Sequence, residues 1–235
     1  QNMSQYLQCA VGSKCNILVA GGTGSGKTTL LNALSSFIPS SERILTIEDS
    51  AELRLQQRHV VRLETRPPNI EGKGEISIRD LVKNALRMRP DRIVVGEVRS
   101  VEVLDMIQAM NTGHEGSMTT VHANTADDAV TRVVTMLGMA GTKLTEAMML
   151  QMIARAIHLI VFVNRQSDGT RRLSAVAEVN GIRDGQVELH HVYQYEQWGV
   201  NAQGQVEGGF TSSGRSLLLE RFMAHGLPLH PSCLQ

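Results

Sequence analysis

Residues 21–28 read GGTGSGKT, and this octapeptide constrains the fold more than any other stretch of the chain. It fits the phosphate-loop pattern GxxxxGK[ST] at every fixed position. The apolar run NILVA precedes it, and helical spacing follows it over 27–37. Glycines in such a loop let successive backbone amides turn towards phosphate oxygens, and the helix amino terminus adds further donors. The octapeptide therefore predicts nucleotide binding on a strand–loop–helix unit.

Each residue type in the loop has a chemical reason to be there. Lys27 is predicted to reach the β- and γ-phosphates, and the Thr28 hydroxyl is predicted to bind Mg²⁺. The loop residues whose backbone would surround the phosphates are Gly21, Gly22, Thr23, Gly24, Ser25 and Gly26. The predicted ligands are therefore ATP and Mg²⁺.

Strand-length apolar runs alternate with stretches of helical spacing from residue 16 to residue 163. After the first strand, further strands are predicted at 43–47, 59–64, 92–96 and 117–122, and helices at 27–37, 77–88 and 100–112. Ser77 and Asp80 have capping-box spacing, and Thr125 and Asp128 open another helix by the same logic. Such alternation indicates an α/β fold with a mostly parallel sheet covered by helices on both faces.

The pattern changes after residue 165. Residues 173–196 hold two strand-like runs around Asp184-Gly185, which predicts a β-hairpin. The glycines within 199–214 predict a loop, and 215–225 predicts a short amphipathic helix. We therefore expect a P-loop core over 1–165 and an appendage of the same domain over 166–235.

Acidic residues follow two of the predicted strands. Glu48 and Asp49 come after strand 43–47, and Glu97 comes after strand 92–96. Since the carboxyl ends of parallel strands face the ligand crevice, these acids should point towards the γ-phosphate side. Glu97 is predicted to be the catalytic base or to position water, while Glu48, Asp49 and Glu52 could supply a carboxylate on the magnesium side. The alternative for these three is a solvated helix start.

Two histidines, His114 and His122, flank the predicted strand 117–122. Their spacing of eight could suggest a metal site, but no third ligand lies at a useful spacing, which disfavours zinc. A histidine at the carboxyl end of a strand is placed to contact a phosphate. A core histidine with satisfied hydrogen bonds is the alternative for each.

Composition excludes several classes of protein. Lys and Arg total 23, as do Asp and Glu, and aromatic residues make up 3% of the chain, so nothing suggests a nucleic-acid partner. Three cysteines without regular spacing fit a reducing compartment rather than a disulfide framework. No apolar run spans a bilayer, and no signal peptide is visible. We expect a cytoplasmic chain, and its initial Gln1 fits a piece cut from something longer.

Four blocks together resemble the secretion ATPase superfamily, the hexameric motors of type II and type IV secretion and of type IV pili. The blocks are GGTGSGKTT at 21–29, TIEDSAEL at 46–53, RIVVGEVR at 92–99 and TGHEGSMTTVHAN at 112–124. The stretch 59–99 and the tail through FTSSGR are similar to CpaF-type ATPases of Tad (Flp) pilus systems. The resemblance implies a RecA-like P-loop fold and ATP hydrolysis coupled to pilin assembly or protein export.

The resemblance also implies roles for individual residues. In the superfamily the glutamate after a strand-end glycine is the catalytic one, here Glu97, while Glu48, Asp49 and Glu52 form the acidic box and His114 and His122 the histidine box. Thr29 would add contacts on the α-phosphate side. Arg87 and Arg99 match arginines that line the nucleotide site or the subunit face, and Arg66 and Arg89 match less closely. Surface salt bridges are the alternative for each arginine.

Family members carry a domain before the P-loop domain that completes the nucleotide pocket, whereas only about fifteen residues precede the first strand here. We therefore expect a C-terminal motor domain without the family's N-terminal domain. The implied partners are ATP, five further copies in a homohexamer and inner-membrane platform proteins, with peripheral membrane contact through the latter. A nucleotide-binding assembly module with negligible turnover is the alternative function.

Overall fold

The computed structural model describes residues 2–235, which fold around one nine-stranded sheet. The strands are β1 (Ile17–Gly21), β2 (Arg43–Glu48), β3 (His59–Glu64), β4 (Arg92–Val95), β5 (Met118–His122), β6 (Leu159–Arg165), β7 (Arg171–Arg183), β8 (Gln186–Val200) and β9 (Val206–Ser212). The helices are α1 (Asn2–Gly12), α2 (Lys27–Ser35), α3 (Ile78–Ala85), α4 (Glu102–Asn111), α5 (Ala126–Met139), α6 (Glu146–Ala156), α7 (Leu219–Ala224) and a 3-10 helix (Pro231–Leu234).

The strand order is β3-β2-β4-β5-β1-β6-β7-β8-β9, and the pairs from β3 to β6 are parallel. The remaining pairs, from β6 to β9, are antiparallel. The α/β fold with a mostly parallel sheet, predicted from the alternating pattern, is therefore confirmed. The antiparallel part extends the same sheet rather than forming a separate layer.

Two apolar cores lie on opposite faces of the sheet. Along β1, Leu18 and Ala20 belong to the core under α3, α4, α5 and α6, whereas Ile17 and Val19 belong to the core under α1, α2 and α7. Successive strand side chains point to opposite faces, so an uninterrupted apolar strand can serve both cores. This burial on both faces explains why the central strands are apolar runs without alternation.

The local signals for helix starts are present in the structure. The Ser77 side chain accepts from the Asp80 amide, and the Asp80 side chain accepts from the Ser77 amide, which completes the predicted capping box. Thr125 caps α5 by accepting from the Asp128 amide. The hairpin turn also lies at the predicted place, with positive φ angles at Asp184 (52°) and Gly185 (76°).

The predicted loop at 199–214 is wrong, because β8 continues to Val200 and the chain then forms β9. Its glycines provide space rather than flexibility. A Cβ at Gly208 would lie 2.4 Å from the Tyr195 hydroxyl, and a Cβ at Gly209 would lie 2.9 Å from the Trp198 ring. The aromatic side chains of β8 lie across β9, and only glycine leaves room for them. The appendage is thus a three-stranded extension rather than a lone hairpin.

The buried Asn16 side chain joins three elements at the amino-terminal edge of the sheet. Its Nδ2 donates to the carbonyls of Met110 (3.2 Å) and Ala156 (2.7 Å), at the ends of α4 and α6. Its Oδ1 accepts from the amides of Gly116 (2.8 Å) and Ser117 (3.1 Å), just before β5. All four hydrogen-bonding positions of this amide are therefore used.

A second buried polar group attaches the chain's two ends to the sheet. Glu178 on β7 is fully buried and accepts from the Tyr6 hydroxyl, the Ser216 hydroxyl and the Leu217 amide. Burial, together with the Glu178 carboxylate, raises the pKa of Tyr6 well above its usual value. These contacts hold α1 and the segment before α7 against the extension. Among the helices of residues 2–235, none combines the length and apolarity needed to cross a bilayer.

We predict that Asn16→Leu destabilises the chain by about 4 kcal/mol, because each of the four backbone groups left unpaired in the interior costs about 1–3 kcal/mol. Urea unfolding measures this. Asn111→Leu is the matched control, since Asn111 is exposed and makes one hydrogen bond, to the Met152 carbonyl. An Asn16 variant as stable as the control would contradict the role assigned to this amide.

Candidate functional site

A cleft of about 750 Å³ opens at the carboxyl ends of β1, β2, β4 and β5. The register of the sheet produces it, since Gly21 at the end of β1 pairs with His122 at the end of β5. Its lining residues are Thr23, Gly24, Lys27, Thr28, Glu48, Asp49, Ser50, Glu52, Gly96, Glu97, Arg99, Thr120, His122 and Arg132. Ten of these are site residues predicted from the sequence.

The loop 21–28 has the backbone geometry of a phosphate cradle. Gly24 and Gly26 have φ angles of 68° and 100°, which other residues rarely adopt, and Gly26 directly precedes α2. The Ser25 hydroxyl and the Lys27 ammonium both donate to the Gly22 carbonyl, at 2.8 and 3.1 Å. The lysine thus lies across the loop, where phosphate oxygens would be its alternative partners.

A chain of alternating charges crosses the cleft. Lys27 Nζ lies 3.9 Å from Glu97 Oε1, and the Arg99 guanidinium lies 2.6 Å from Glu97 Oε2 and 3.3 Å from Asp49 Oδ2. Burial lowers the pKa of Lys27 from its usual value, while Glu97 opposes this shift. The hydrogen bond from Arg99 to Glu97 raises the pKa of Arg99. Glu97 therefore lies between two cations.

Gly96 is the one residue between the end of β4 and Glu97. A Cβ at Gly96 would lie 3.2 Å from Cγ of Glu48, which comes from the neighbouring strand. The Gly96 amide donates to the Ile47 carbonyl, and its own carbonyl accepts from the Thr120 hydroxyl. The backbone is thus bonded to the strands on both sides of β4, and any side chain would press on the buried acid.

Glu48 is 4% exposed, and one of its oxygens is used by the backbone. Oε1 accepts from the amides of Glu52 (3.0 Å) and Leu53 (2.8 Å), which turns the chain back after β2. Asp49 and Glu52, in contrast, are exposed at the rim of the cleft. The acidic box therefore contains one buried acid that shapes the loop and two acids that remain accessible.

The segment after Glu97 is also fixed by a carboxylate. Glu102, 7% exposed, accepts from the Arg99 amide (2.6 Å) and the Ser100 amide (2.9 Å) through Oε1. Glu102 lies outside the motifs from which the site residues were predicted. The sequence feature that could have indicated this role is an acid in the first turn of α4, directly after backbone amides that have no partner within the helix.

The two histidines lie near opposite ends of β5, a central strand of the sheet. His122 ends β5, is exposed and lines the cleft. His114 precedes β5 and so lies at the amino-terminal edge, where its carbonyl accepts from the Ser117 hydroxyl. Its Nδ1 is buried and has no hydrogen-bond partner within residues 2–235. His114 therefore does not line the cleft of its own chain, and its role in the histidine box stays a prediction.

The predicted arginines separate in the same way. Arg99 lies in the cleft, whereas Arg87 follows α3 and precedes β4, so it lies at the opposite edge of the sheet. Arg89 lies beside it, and Arg66 donates to the Gly74 carbonyl in an exposed loop. Thr29 is exposed on α2 and is not part of the cleft wall. Arg87 therefore does not line the cleft of its own chain, because a helix leading into a parallel strand ends near that strand's amino-terminal end. Its place at the nucleotide site or the subunit face stays a prediction.

Two arginines near the loop were missed by sequence reasoning. Arg132 on α5 lines the cleft and has no ion pair within residues 2–235. Arg171, the first residue of β7, donates from Nε to the Gly24 carbonyl at 2.8 Å. The position of Arg132 could have been inferred from the rule that the helix after a strand starts at the ligand edge. Nothing in the sequence signals Arg171.

The donor set suits Mg²⁺ held jointly with a nucleotide. Within residues 2–235, no cluster of three acidic, histidine or cysteine side chains could hold a metal ion by itself. The cleft instead places the Thr28 hydroxyl and accessible carboxylates beside the phosphate cradle. Mg²⁺ in nucleotide sites is commonly held in this way, by one or two protein oxygens together with phosphates.

Residues 1–220 match the family described as "Type II/IV secretion system protein". A putative conjugal transfer protein of Mycobacterium tuberculosis is 46% identical over 187 residues, covering 80% of this chain and 52% of that protein. The type IV secretion system protein PtlH of Bordetella pertussis is 48% identical over 134 residues, 56% of this chain and 39% of that protein. The chain thus spans about half the length, or less, of these relatives.

The fold is also that of a solved secretion protein. The crystal structure of the VirB11 ATPase from the Brucella suis type IV secretion system, in complex with sulphate, superposes with a TM-score of 0.67 at 34% identity. The match covers 74% of this chain and 51% of that one. Sequence, fold and cleft agree, and the chain belongs to the Type II/IV secretion system protein family.

Proposed function

We propose that this chain is the ATP-hydrolysing motor domain of a secretion or pilus-assembly ATPase. The observation that carries the proposal is the position of Glu97, whose Oε1 lies 3.9 Å from Nζ of the phosphate-loop lysine, Lys27, while its Oε2 contacts Arg99. A carboxylate beside the predicted γ-phosphate position is what ATP hydrolysis requires in order to orient water. The VirB11 structural neighbour, itself an ATPase, supports the same activity.

The roles of the cleft residues follow from their contacts. Lys27 exchanges the Gly22 carbonyl for phosphate oxygens, and the loop amides bind the phosphate chain. Glu97 Oε2 stays paired with Arg99, which leaves Oε1 to accept a proton from the attacking water. His122, at the end of β5, contacts the phosphate end. Thr28 and an acid of the 48–52 segment would hold Mg²⁺, which would neutralise charge that develops on the phosphates.

We further propose that the chain works in a homohexamer of the Tad (Flp) type, at the inner face of a membrane that holds its platform partners. The resemblance of 59–99 to that branch supports this. The positions of His114, Arg87 and Arg89, away from the cleft of their own chain, are compatible with contacts to a neighbouring copy. Exposed arginines that complete a neighbour's site are a common way to make hydrolysis depend on assembly.

The second candidate is a nucleotide-binding assembly module with negligible turnover. Solvent reaches the surroundings of Glu97 on the side of Arg99, whose side chain is 65% exposed, and this observation favours the second candidate. A site that water enters freely stabilises charge poorly in the transition state. The two candidates differ in turnover and agree in nucleotide binding.

We predict that Glu97→Gln lowers phosphate release from Mg-ATP by about 100-fold or more, because a general base contributes about 10²–10⁴ to the rate. ATP affinity should stay within about threefold, since the amide keeps the size of the carboxylate. Phosphate release measured across protein concentration, together with equilibrium binding, tests both. Glu207→Gln is the matched control, because Glu207 is exposed on β9 outside the cleft.

Unchanged turnover in Glu97→Gln would sink the assigned mechanism. ATP binding without turnover by the parent chain at any concentration would instead select the assembly module. Turnover that rises steeply with concentration would indicate a site completed between copies.

A separate pair of variants tests whether Glu48 acts by charge or by shape. We predict that Glu48→Gln, which keeps an oxygen for the two backbone amides, leaves turnover within about tenfold of the parent. Glu48→Ala leaves those amides unpaired and should lower the free energy of unfolding by about 2–3 kcal/mol. Urea unfolding and phosphate release measure these effects. A loss of turnover in Glu48→Gln as large as that in Glu97→Gln would show that the Glu48 charge is catalytic.

A further inference from the structure

One cation outside the four sequence blocks contacts the phosphate loop directly. Arg171 donates from Nε to the Gly24 carbonyl at 2.8 Å, across 147 residues of sequence. Its Cδ lies 3.2 Å from the position that a Cβ on Gly26 would occupy. The side chain therefore lies against the outer side of the loop that would bind the phosphates.

The antiparallel register brings Arg171 to this place. Val163 on β6 pairs with Gly21, so the carboxyl end of β6 lies beside the start of the loop. Since β7 runs back from that end, its first residue, Arg171, pairs with Arg165 at the ligand edge of the sheet. A parallel strand would bring its last residue to this edge instead of its first.

The turn before Arg171 is fixed by hydrogen bonds within itself and by one to the start of β9. The Gln166 amide donates to the Thr170 carbonyl at 2.8 Å. Asp168 accepts from the Thr170 hydroxyl (2.6 Å) and amide (2.9 Å), and also from the Val206 amide at the start of β9 (2.9 Å). Arg171 is thus anchored to the three-stranded extension and not to a free loop.

The contact has a consequence for the loop amides. In a trans peptide the carbonyl and the next amide point in opposite directions. Holding the Gly24 carbonyl towards Arg171 therefore directs the Ser25 N–H into the loop, where it now donates to the Gly22 carbonyl at 3.4 Å. Only this one hydrogen bond is made by the Arg171 guanidinium within residues 2–235, and no carboxylate of that part pairs with it.

We propose that Arg171 is a positioning residue for nucleotide binding, which holds the Gly24–Ser25 peptide in its phosphate-binding orientation and places a positive charge beside the loop. This rests on the nucleotide site of the proposed function. The contact is to the loop itself and not to Glu97 or His122, so it acts on phosphates that the di- and triphosphate share. The extension formed by β7, β8 and β9 thereby contributes to nucleotide affinity.

We predict that Arg171→Gln raises the Kd for Mg-ADP and for Mg-ATP by the same factor, about tenfold, which is the scale of one lost charge-assisted hydrogen bond. KM should rise similarly while kcat stays within about twofold, because the interaction is equal in ground and transition states. Equilibrium binding of both nucleotides and steady-state phosphate release measure this. Arg171→Lys, which keeps the charge, should recover part of the affinity.

Arg165→Gln is the matched control, since it removes the same charge from the residue paired with Arg171 across the strands. It should leave both Kd values within about twofold of the parent. Equal weakening by the two variants would reduce the effect to net charge and overturn the proposal. An Arg171→Gln variant that binds both nucleotides as the parent does would also overturn the proposal. A variant whose melting temperature without nucleotide falls together with kcat would overturn it as well.

These outcomes separate this inference from the function on which it rests. A parent chain that binds and hydrolyses ATP, with Arg171→Gln unaffected, removes the inference alone. A parent chain that binds neither nucleotide removes both.

Discussion

Parallel pairing of β2, β4, β5 and β1 is the constraint on which the rest of the molecule depends. It carries four strand ends to one edge of the sheet, so residues far apart in sequence meet around the phosphate loop. The same pairing sends the helix-to-strand connections to the other edge. Asn16 sits there and uses its whole side-chain amide to hold three of those connections. Site and scaffold thus occupy opposite ends of the same strands.

At the carboxyl ends of the strands, the space around Gly96 and the charges around Glu97 together shape the cleft. Gly96 leaves room for the buried Glu48 and joins the end of β4 to Glu97, which meets Lys27 and Arg99. Each carboxylate oxygen of Glu97 thus faces one of the two cations. Glu48 gives one oxygen to two backbone amides and so shapes the segment that carries Asp49 and Glu52. At the end of β4, the positions of Gly96, Glu48 and Glu97 therefore depend on one another.

The extension shows where local patterns mislead. Five glycines within 199–214 were interpreted as a loop, yet two of them lie in β9 because the aromatic side chains of β8 fill the space above them. The hairpin turn, in contrast, was found from two residues whose backbone angles only that turn type requires. Turn chemistry is local, and the sequence reveals it. Cross-strand packing is not local, and a glycine required by a neighbour's ring resembles a glycine required by a turn.

The sequence by itself determined the α/β class, the central strands, the phosphate loop and the acids that follow β2 and β4, because periodicity and strand-end position are local properties. It also predicted that Glu97 points towards the phosphate loop, because Glu97 follows the end of a parallel strand. The tertiary structure showed that His122 lines the cleft while His114 lies near the other end of β5. It likewise excluded Arg87 from its own chain's cleft and brought Arg171 to the loop. These outcomes depend on strand direction and register, which are set by long-range pairing that no single segment encodes.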